Sequence, residues 1–467
     1  METSEPPPPP FATTPPPPQL AKPHKHRRVF PDLYEDSQFV LPHEDLDKYT
    51  AGGFHPVNLG DTFQGGRYTI RHKLGYGGFS TAWLAYDKDA LRWVSIKVKS
   101  AAASTEDLDQ DREISVLKQL ERRYTELAYR EPMPFARLLD CFRHTGPNGI
   151  HNCLVTELLG PSLCDVMECY EYREQTFRPD TVLRASCQLL DALTFFHQAG
   201  FAHGDVSIGN VAFTCQFKSE EDLLDVTGGD PVTADYSSNQ IPWSPELPKH
   251  VVQYTLWPGW YESADEDLRL IDMGEIFPVG DTVTKIAQPW DVRSPETFFI
   301  GSFDYKHDLW RAGCVLYSLY FQKTPFLSGW GPAGFFIIKL IMKLGPLPDS
   351  WKNKWEELKG ECKNLEEYER EIPREPIIKM FEPRRNDIIS GWNNEDGDDA
   401  NRQGEFTEHD YAALDSLFWV IPGLLQFHPD KRISLQEAVS HIRSRWTDYR
   451  TRGTENRARY MIDLRQI

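Results

Sequence analysis

The hydrophobic pattern along the chain changes period several times. Residues 68–74 (Tyr68-Thr69-Ile70-Arg71-His72-Lys73-Leu74) have strand character, as do residues 81–86, and the glycine-rich turn Gly75-Tyr76-Gly77-Gly78-Phe79-Ser80 joins them. Residues 93–99 alternate with period two, which predicts a third strand carrying Lys97 and Lys99 on one face. The period then lengthens. Ile114, Leu117 and Leu120 fall at three-residue steps and predict a helix over residues 111–120. Two further strands are predicted at 137–143 and 152–157, after which Leu158-Leu159-Gly160-Pro161 breaks the pattern and reads as a hinge. A strong helix is predicted over 178–199, with Pro179 near its start, Gly200 just past its end, and Val182, Leu189, Leu190, Leu193 and Phe196 on one face. Strand character returns at Val211-Ala212-Phe213 and again over 268–274. Between them, from about Cys215 to Asp267, Ser, Pro, Gly, Trp and acidic residues dominate, and an acidic, partly mobile insertion is expected. An apolar helix opens at Asp304-Tyr305-Lys306-His307-Asp308 and runs to Phe321, and a last helix follows Ile433.

The long helix delivers the chain into His203-Gly204-Asp205-Val206-Ser207-Ile208-Gly209-Asn210. This stretch sets an Asp and an Asn five residues apart on a tight loop. Phosphoryl transfer needs one carboxylate to accept a hydroxyl proton and position the attacking oxygen, and oxygen ligands to hold Mg²⁺ against phosphates. Asp205 suits the first role and Asn210 part of the second. Asp272, in Asp272-Met273-Gly274, supplies a further oxygen ligand, and Mg²⁺ prefers few carboxylates together with phosphate and water oxygens. The turn of residues 75–80 suits phosphates under its backbone N–H groups, because glycine leaves room for close approach. A lone Lys or Glu is usually a solvated charge; what gives Lys97 and Glu113 weight is their place in this ordered series.

Composition narrows the picture. The chain has 467 residues, 40% hydrophobic and 12% aromatic, enough for a sizeable core. Its formal net charge of −19 argues against unassisted binding to nucleic acid or anionic lipid and permits basic partners. The eight cysteines are scattered without paired spacing, which points to reduced thiols in cytoplasm or nucleus. The start of the chain is Pro-rich, with no charged-then-apolar signal pattern, and no apolar run is long enough to span a bilayer. Residues 1–50 read as a disordered tail, including the basic cluster His24-Lys25-His26-Arg27-Arg28, and residues 385–410 as a polar surface excursion.

These pieces in this order resemble a eukaryotic protein kinase, and more narrowly the SR-protein kinase family, in a divergent, fungal-type form. Residues 73–84 are similar to that family's glycine loop, Val155-Thr156-Glu157-Leu158-Leu159-Gly160 to its hinge, and His203–Asn210 to a catalytic loop that lacks the Arg of H-R-D. The resemblance implies an α+β fold of two lobes: a small β-rich lobe over 68–159 and a larger helical lobe over 160–446 with an insertion at about 215–267. Residues 51–67 would be a lead-in and 447–467 a tail. It implies ATP and Mg²⁺ as cofactors, transfer of the γ-phosphate to Ser/Thr of basic, Arg/Ser-rich protein substrates, and a monomer in the cytoplasm or nucleus. Lys97, in the V-A-I-K position, would pair with phosphates and with Glu113, Glu106 and Glu121 being lesser candidates. Asp205 would be the base, with Asn210 and Asp272 on Mg²⁺. Leu74, Gly75, Tyr76, Gly77, Gly78, Phe79, Ser80 and Ala82 would cover the nucleotide. The Glu157 and Leu159 backbones would meet adenine behind the gatekeeper Thr156. Leu117, His203 and Met273 would pack together between the lobes. Glu296 with Arg432 would form a buried ion pair, and Asp308 would brace the catalytic loop.

Three residues depart from the general Ser/Thr protein kinase pattern. Ser207 replaces a Lys used near the γ-phosphate, Met273 replaces Phe, and Gly204 removes the Arg that pairs with an activation-loop phosphate. Activity independent of Thr282 or Thr284 phosphorylation is therefore expected. Two other readings stay open: a nucleotide-binding scaffold without efficient transfer, favoured by Ser207, and a small-molecule kinase of the aminoglycoside or choline type, which shares H-G-D-x-x-x-x-N. Against the latter stand Ser294-Pro295-Glu296, Asp308-Leu309-Trp310 and Arg432.

Overall fold

The early stretches with strand character pair into one six-stranded antiparallel sheet. The computed structural model describes residues 33–35, 40, 42–127, 132–217, 219–237, 241–263, 265–326, 333–360, 362, 365 and 408–463. The strands are β1 (Thr62–Phe63), β2 (Tyr68–Tyr76), β3 (Ser80–Asp87) and β4 (Arg92–Lys99), then helix α1 (Arg112–Glu126), then β5 (Leu138–Gly146) and β6 (Gly149–Glu157), in spatial order β1-β2-β3-β4-β6-β5. Alternation in β4 buries Val94, Ile96 and Val98 on one face and leaves Lys97 and Lys99 on the other. The first face packs with Val57, Phe63, Tyr68 and Trp83. On the Lys97 face α1 lays down Ile114, Val116, Leu117 and Leu120. Asp111 caps α1 by accepting from the Glu113 and Ile114 backbone N–H groups, and it also takes Lys99 Nζ at 2.8 Å. One contact therefore fixes where the helix starts and how it registers on the sheet.

The expected hinge becomes the short strand β7 (Leu159–Ser162), which leads into α2 (Leu163–Tyr172) through a Ser162–Asp165 capping box. Next come α3 (Pro179–Gln198), β8 (Phe201–Ala202) and β9 (Val211–Thr214). The predicted helix matches α3 within a residue at each end, with Gly200 in the left-handed region after it. After the insertion come β12 (Leu268–Leu270) beside β9, β13 (Phe277–Pro278), α5 (Glu296–Phe299) and α6 (Lys306–Phe321), with the insertion's own α4, β10 and β11 given below. Helices α7 (Ala333–Leu344), α8 (Lys352–Gly360), α9 (Glu408–Leu414), α10 (Leu417–Leu424) and α11 (Leu435–Asp463) complete the described chain. All fifteen residues of α6 from His307 to Phe321 are buried, so it is a central post rather than a surface helix.

Three expectations are corrected. Packed structure begins before Tyr68: Leu33, Tyr34, Val40, Leu46, Tyr49 and Phe54 are buried, and Val57 and Phe63 seal the sheet. The segment before residue 51 is therefore not wholly a loose tail. The insertion has its own order, with α4 (Glu220–Thr227) and the antiparallel pair β10 (Thr233–Asp235) and β11 (His250–Val252). Ala234, Leu247 and Val251 pack on that same N-terminal segment, so each of two weakly patterned stretches supplies the other's apolar cover. The last helix runs on to Asp463, past the 446 boundary read from the sequence. The Pro-rich stretch and basic cluster of residues 1–31 and most of residues 385–410 lie outside the described residues. Among the described residues no helix is long and apolar enough to cross a membrane.

Candidate active site

A cavity of ≈ 510 Å³ lies between the sheet and the helical region. Its roof is the β2–β3 turn: Leu74, Gly75, Tyr76, Gly77, Ser80 and Ala82 line it, and Gly77 N–H donates to Ser80 C=O at 2.9 Å. Gly78 and Phe79 stand outside the lining at the tip of the turn, Phe79 with 72% of its surface exposed. The back wall holds Lys97, Glu113, Leu117 and Thr156. The connecting segment contributes Glu157 and Leu159, and the floor Asn210, Asp272 and Met273. Glu157 is held by its neighbours: its N–H donates to Arg137 C=O, and its carboxylate accepts from Arg137 N–H at 2.9 Å. Leu159 pairs with Thr214 of β9.

Lys97 joins the two sides of the cavity. Its Nζ is 2.7 Å from Glu113 Oε1 and 3.0 Å from Asp272 Oδ1. Glu113 is thus the partner of Lys97, while Glu121 pairs with Arg137. Burial pulls the Lys97 pKa down, but Glu113 and Asp272 outweigh it and hold the ammonium above its ordinary value. Lys97 in turn holds the Asp272 carboxyl below the usual carboxylate range. Asp272 has φ +61°, a left-handed conformation rare outside glycine, and its Oδ1 accepts from Gly274 N–H at 3.3 Å. That backbone turn points its carboxylate toward Lys97 rather than along β12.

The loop His203–Asn210 is suspended from α6. Asp308, fully buried, accepts from His203 N–H at 2.8 Å and Gly204 N–H at 2.9 Å, and His197 Nε2 lies 2.9 Å away. Burial alone would raise the Asp308 pKa; the hydrogen bonds from His197 and the loop backbone hold it below its ordinary value. Gly204 has φ +79°, and a Cβ there would sit 2.5 Å from Glu275 C=O. Only glycine fits, which is a physical reason for the missing Arg. Asn210 Nδ2 donates to Asp205 Oδ2 at 2.9 Å and to Asp205 C=O at 2.8 Å, closing the loop on itself.

The sequence reading missed Arg311. It lies one turn beyond Asp308 on α6, has a fully buried side chain, and is the only charged residue between Leu309 and Phe321. Its Nη2 is 2.8 Å from Asp205 Oδ1, and its Nε donates to Val206 C=O at 2.6 Å. Positive charge next to Asp205 comes from below the loop, where Ser207 offers only a hydroxyl. Burial pushes the Asp205 pKa up to about 6, with Arg311 and Asn210 pulling down and the carboxylates of Asp272 and Glu275 pushing up. A lone charge inside an apolar helix was the available signal. Tyr254 and Trp257 of the insertion also line the cavity, unforeseen because their stretch has no period.

Farther out, Arg432 donates to both oxygens of Glu296, Nη1 to Oε1 at 2.6 Å and Nη2 to Oε2 at 2.7 Å, in a buried fork-to-fork pair.

No family model matches the chain. Among curated proteins, a serine/threonine protein kinase of Aspergillus fumigatus is 30% identical over 331 residues, 70% of this chain and 76% of that protein. Protein kinase dsk1 of Schizosaccharomyces pombe is 38% identical over 169 residues, 36% of this chain and 30% of that protein. Serine/threonine-protein kinase SRPK of Physarum polycephalum is 27% identical over 296 residues, 59% of this chain and 65% of that protein. The match thus spans less than two thirds of the fission-yeast and slime-mould proteins and about three quarters of the Aspergillus one. Taken with these similarities, the chain belongs to the serine/threonine protein kinase family, in its SR-protein-kinase-like group.

Proposed function

We propose that the protein is an active, bilobal Ser/Thr kinase that transfers the ATP γ-phosphate to hydroxyls of basic, Arg/Ser-rich-like protein substrates, working as a monomer in the cytoplasm or nucleus. The observation that carries this reading is the joined Glu113–Lys97–Asp272 series, set in one cavity with Asn210 and braced from α6 by Asp308. ATP with Mg²⁺ supplies the phosphoryl group and the charge neutralisation it needs. In this reading Lys97 binds phosphate oxygens and Glu113 fixes its position. Asn210 and Asp272 are the oxygen donors for Mg²⁺. Asp205 orients the substrate hydroxyl and accepts its proton, and Asn210 and Arg311 hold that carboxylate in place. The Glu157 and Leu159 backbones meet the adenine edge, and the β2–β3 turn covers the phosphates. Net charge of −19 supports a basic substrate, because a peptide rich in Arg is drawn to a field of that sign.

Ser207 favours the second reading, a nucleotide-binding scaffold; the Arg311–Asp205 contact argues for the first, since it restores positive charge at the reacting carboxylate. The test is labelling from radioactive Mg-ATP, offered an Arg/Ser-repeat peptide, an acidic Ser peptide, and choline or an aminoglycoside in turn. Serine labelling of the Arg/Ser peptide, lost in Lys97→Met, is the expected result. Labelling of the small amine alone moves the protein to the small-molecule kinases. Nucleotide binding without any transfer makes it a scaffold.

A further inference from the structure

The insertion does more than fill space beside the sheet. After β11 its chain runs along the end of β2, next to the glycine turn. Lys73 Nζ donates to Val252 C=O at 3.2 Å, and Thr255 N–H donates to Lys73 C=O at 2.9 Å. Between these anchors the Tyr254 ring stands edge-on to Tyr76 of the turn, with centroids 6.0 Å apart. Lys73 is itself pinned from the other side by buried Glu44, which also accepts from the Tyr49 hydroxyl. Lys48 Nζ donates to Gly78 C=O at 3.1 Å.

The chain then leaves β2 and reaches α2. Cys169 Sγ meets Leu256 C=O at 3.2 Å, and the Arg173 guanidinium donates to Pro258 C=O. Residues 252–258 therefore cross from the roof of the cavity to the helix that begins below its mouth, and both Tyr254 and Trp257 face into the cavity. The phenol of Tyr254 is pushed above its ordinary pKa by burial and by the Asp165 and Glu168 carboxylates of α2, consistent with its place between the two walls. At Trp257 the backbone has φ +52°, strained for a bulky residue. Its ring stacks on Phe217 at 6.4 Å, and its backbone N–H donates to Thr255 Oγ1 at 3.3 Å. Along the crossing buried anchors at Val252, Thr255 and Trp257 alternate with half-buried Tyr254 and exposed Leu256 and Pro258, and the backbone strain lies at Trp257 near its far end, which suits a segment with two positions.

We propose that residues 252–258 form a strap across the mouth of the nucleotide pocket, so that nucleoside di- and triphosphates enter and leave only when the strap lifts from β2 and α2. The proposal rests on the kinase reading and adds to it a step that limits exchange. A strap that must lift slows association and dissociation together, whereas a fixed wall that only touches nucleotide slows dissociation alone.

The test uses the full chain and a fluorescent, Mg²⁺-bound ADP analogue in stopped flow. Tyr254→Ala removes the ring that meets Tyr76 and is expected to speed both rate constants, association as well as dissociation, roughly five- to tenfold, as loss of one aromatic contact permits. Tyr254→Phe keeps the ring and is expected to match the wild type. Faster dissociation alone, or no change in either rate, overturns the strap. A second measurement needs no variant. Amide exchange at Thr255 and Trp257 is expected to slow when the wild type is saturated with MgADP; unchanged exchange there overturns the proposal. If the wild type binds no MgADP, the kinase reading fails and the strap with it. Binding with unaltered kinetics in Tyr254→Ala sinks the strap and leaves that reading standing.

Discussion

Arg311 makes a sharp prediction, because it sits 2.8 Å from the carboxylate proposed to take the proton. Replacing it with Met keeps the stem volume and deletes the charge. Two unit charges about 4 Å apart interact by roughly 4 kcal/mol at an effective dielectric constant of about 20. The Asp205 side chain is 21% exposed, so solvent takes part of this, leaving on the order of 2–3 kcal/mol, or about two pH units. The other groups facing Asp205 stay in place: Asp272 and Glu275 push its pKa up, and Asn210 pulls it down. In its proposed role Asp205 acts as a carboxylate, so activity should fall as pH drops through its pKa. That lies at about 6 in the wild type and is expected roughly two units higher in Arg311→Met. The assay is kcat/KM against pH for peptide phosphorylation. The variant should lose roughly tenfold at pH 7 and recover most of it near pH 9, while Arg311→Lys, which keeps the charge, should hold the wild-type limb. The same proton linkage acts on stability. A carboxyl whose folded pKa is raised destabilises the fold as pH rises from the unfolded value to the folded one. The stability gap between wild type and Arg311→Met should therefore be small below pH 6 and open by about 2.7 kcal/mol across the next two units. An acid limb that does not move in Arg311→Met refutes the reasoning.

Other substitutions probe the frame around this carboxylate. Gly204→Ala forces a side chain onto φ +79° and against Glu275 C=O, and should cost at least ~2 kcal/mol in urea unfolding and disturb the loop that carries Asp205. Arg432→Met strands the buried Glu296 carboxylate and should cost about 3–5 kcal/mol; replacing both partners with apolar residues should return much of that loss, read as Tm. Thr282→Ala with Thr284→Ala should leave the peptide rate intact, since Gly204 presents no guanidinium for a phosphate on either exposed threonine. A large loss of rate would show that the activation segment is phosphate-dependent after all.

The parts of the site that were legible in the sequence are those where period and spacing coincide. Lys97 follows from a two-residue alternation and Glu113 from a three-residue stripe, and the two elements could meet only across the sheet face that carries the lysine. Asp308 and the Glu296–Arg432 pair came from the resemblance to the kinase family and not from period or spacing; the structure adds the physical reason, since each buried charge there needs a partner. What stayed hidden is tertiary. Nothing local says that Arg311 points at Asp205 and not outward, and only the burial of all of α6 from His307 onward forces it. The insertion and the N-terminal segment have no period, and their apolar residues share one cluster. Tyr34, Tyr49 and Phe54 find their apolar neighbours in Ala234, Leu247 and Val251, roughly two hundred residues away. Sequence patterns report local periodicity, and these stretches are ordered by contacts that are not local.

The central claim is that Asp205, held by Asn210, Arg311 and the Asp308-braced loop, serves phosphoryl transfer to a protein hydroxyl. The most direct measurement is transfer of the γ-phosphate from Mg-ATP to an Arg/Ser-repeat peptide by the full-length protein and by Asp205→Ala, with the labelled residue mapped and MgADP binding measured on both. The account predicts phosphoserine with the wild type, none above background with Asp205→Ala, and similar nucleotide affinity for the two. Equal labelling by Asp205→Ala, or nucleotide binding without labelling by either protein, would contradict it.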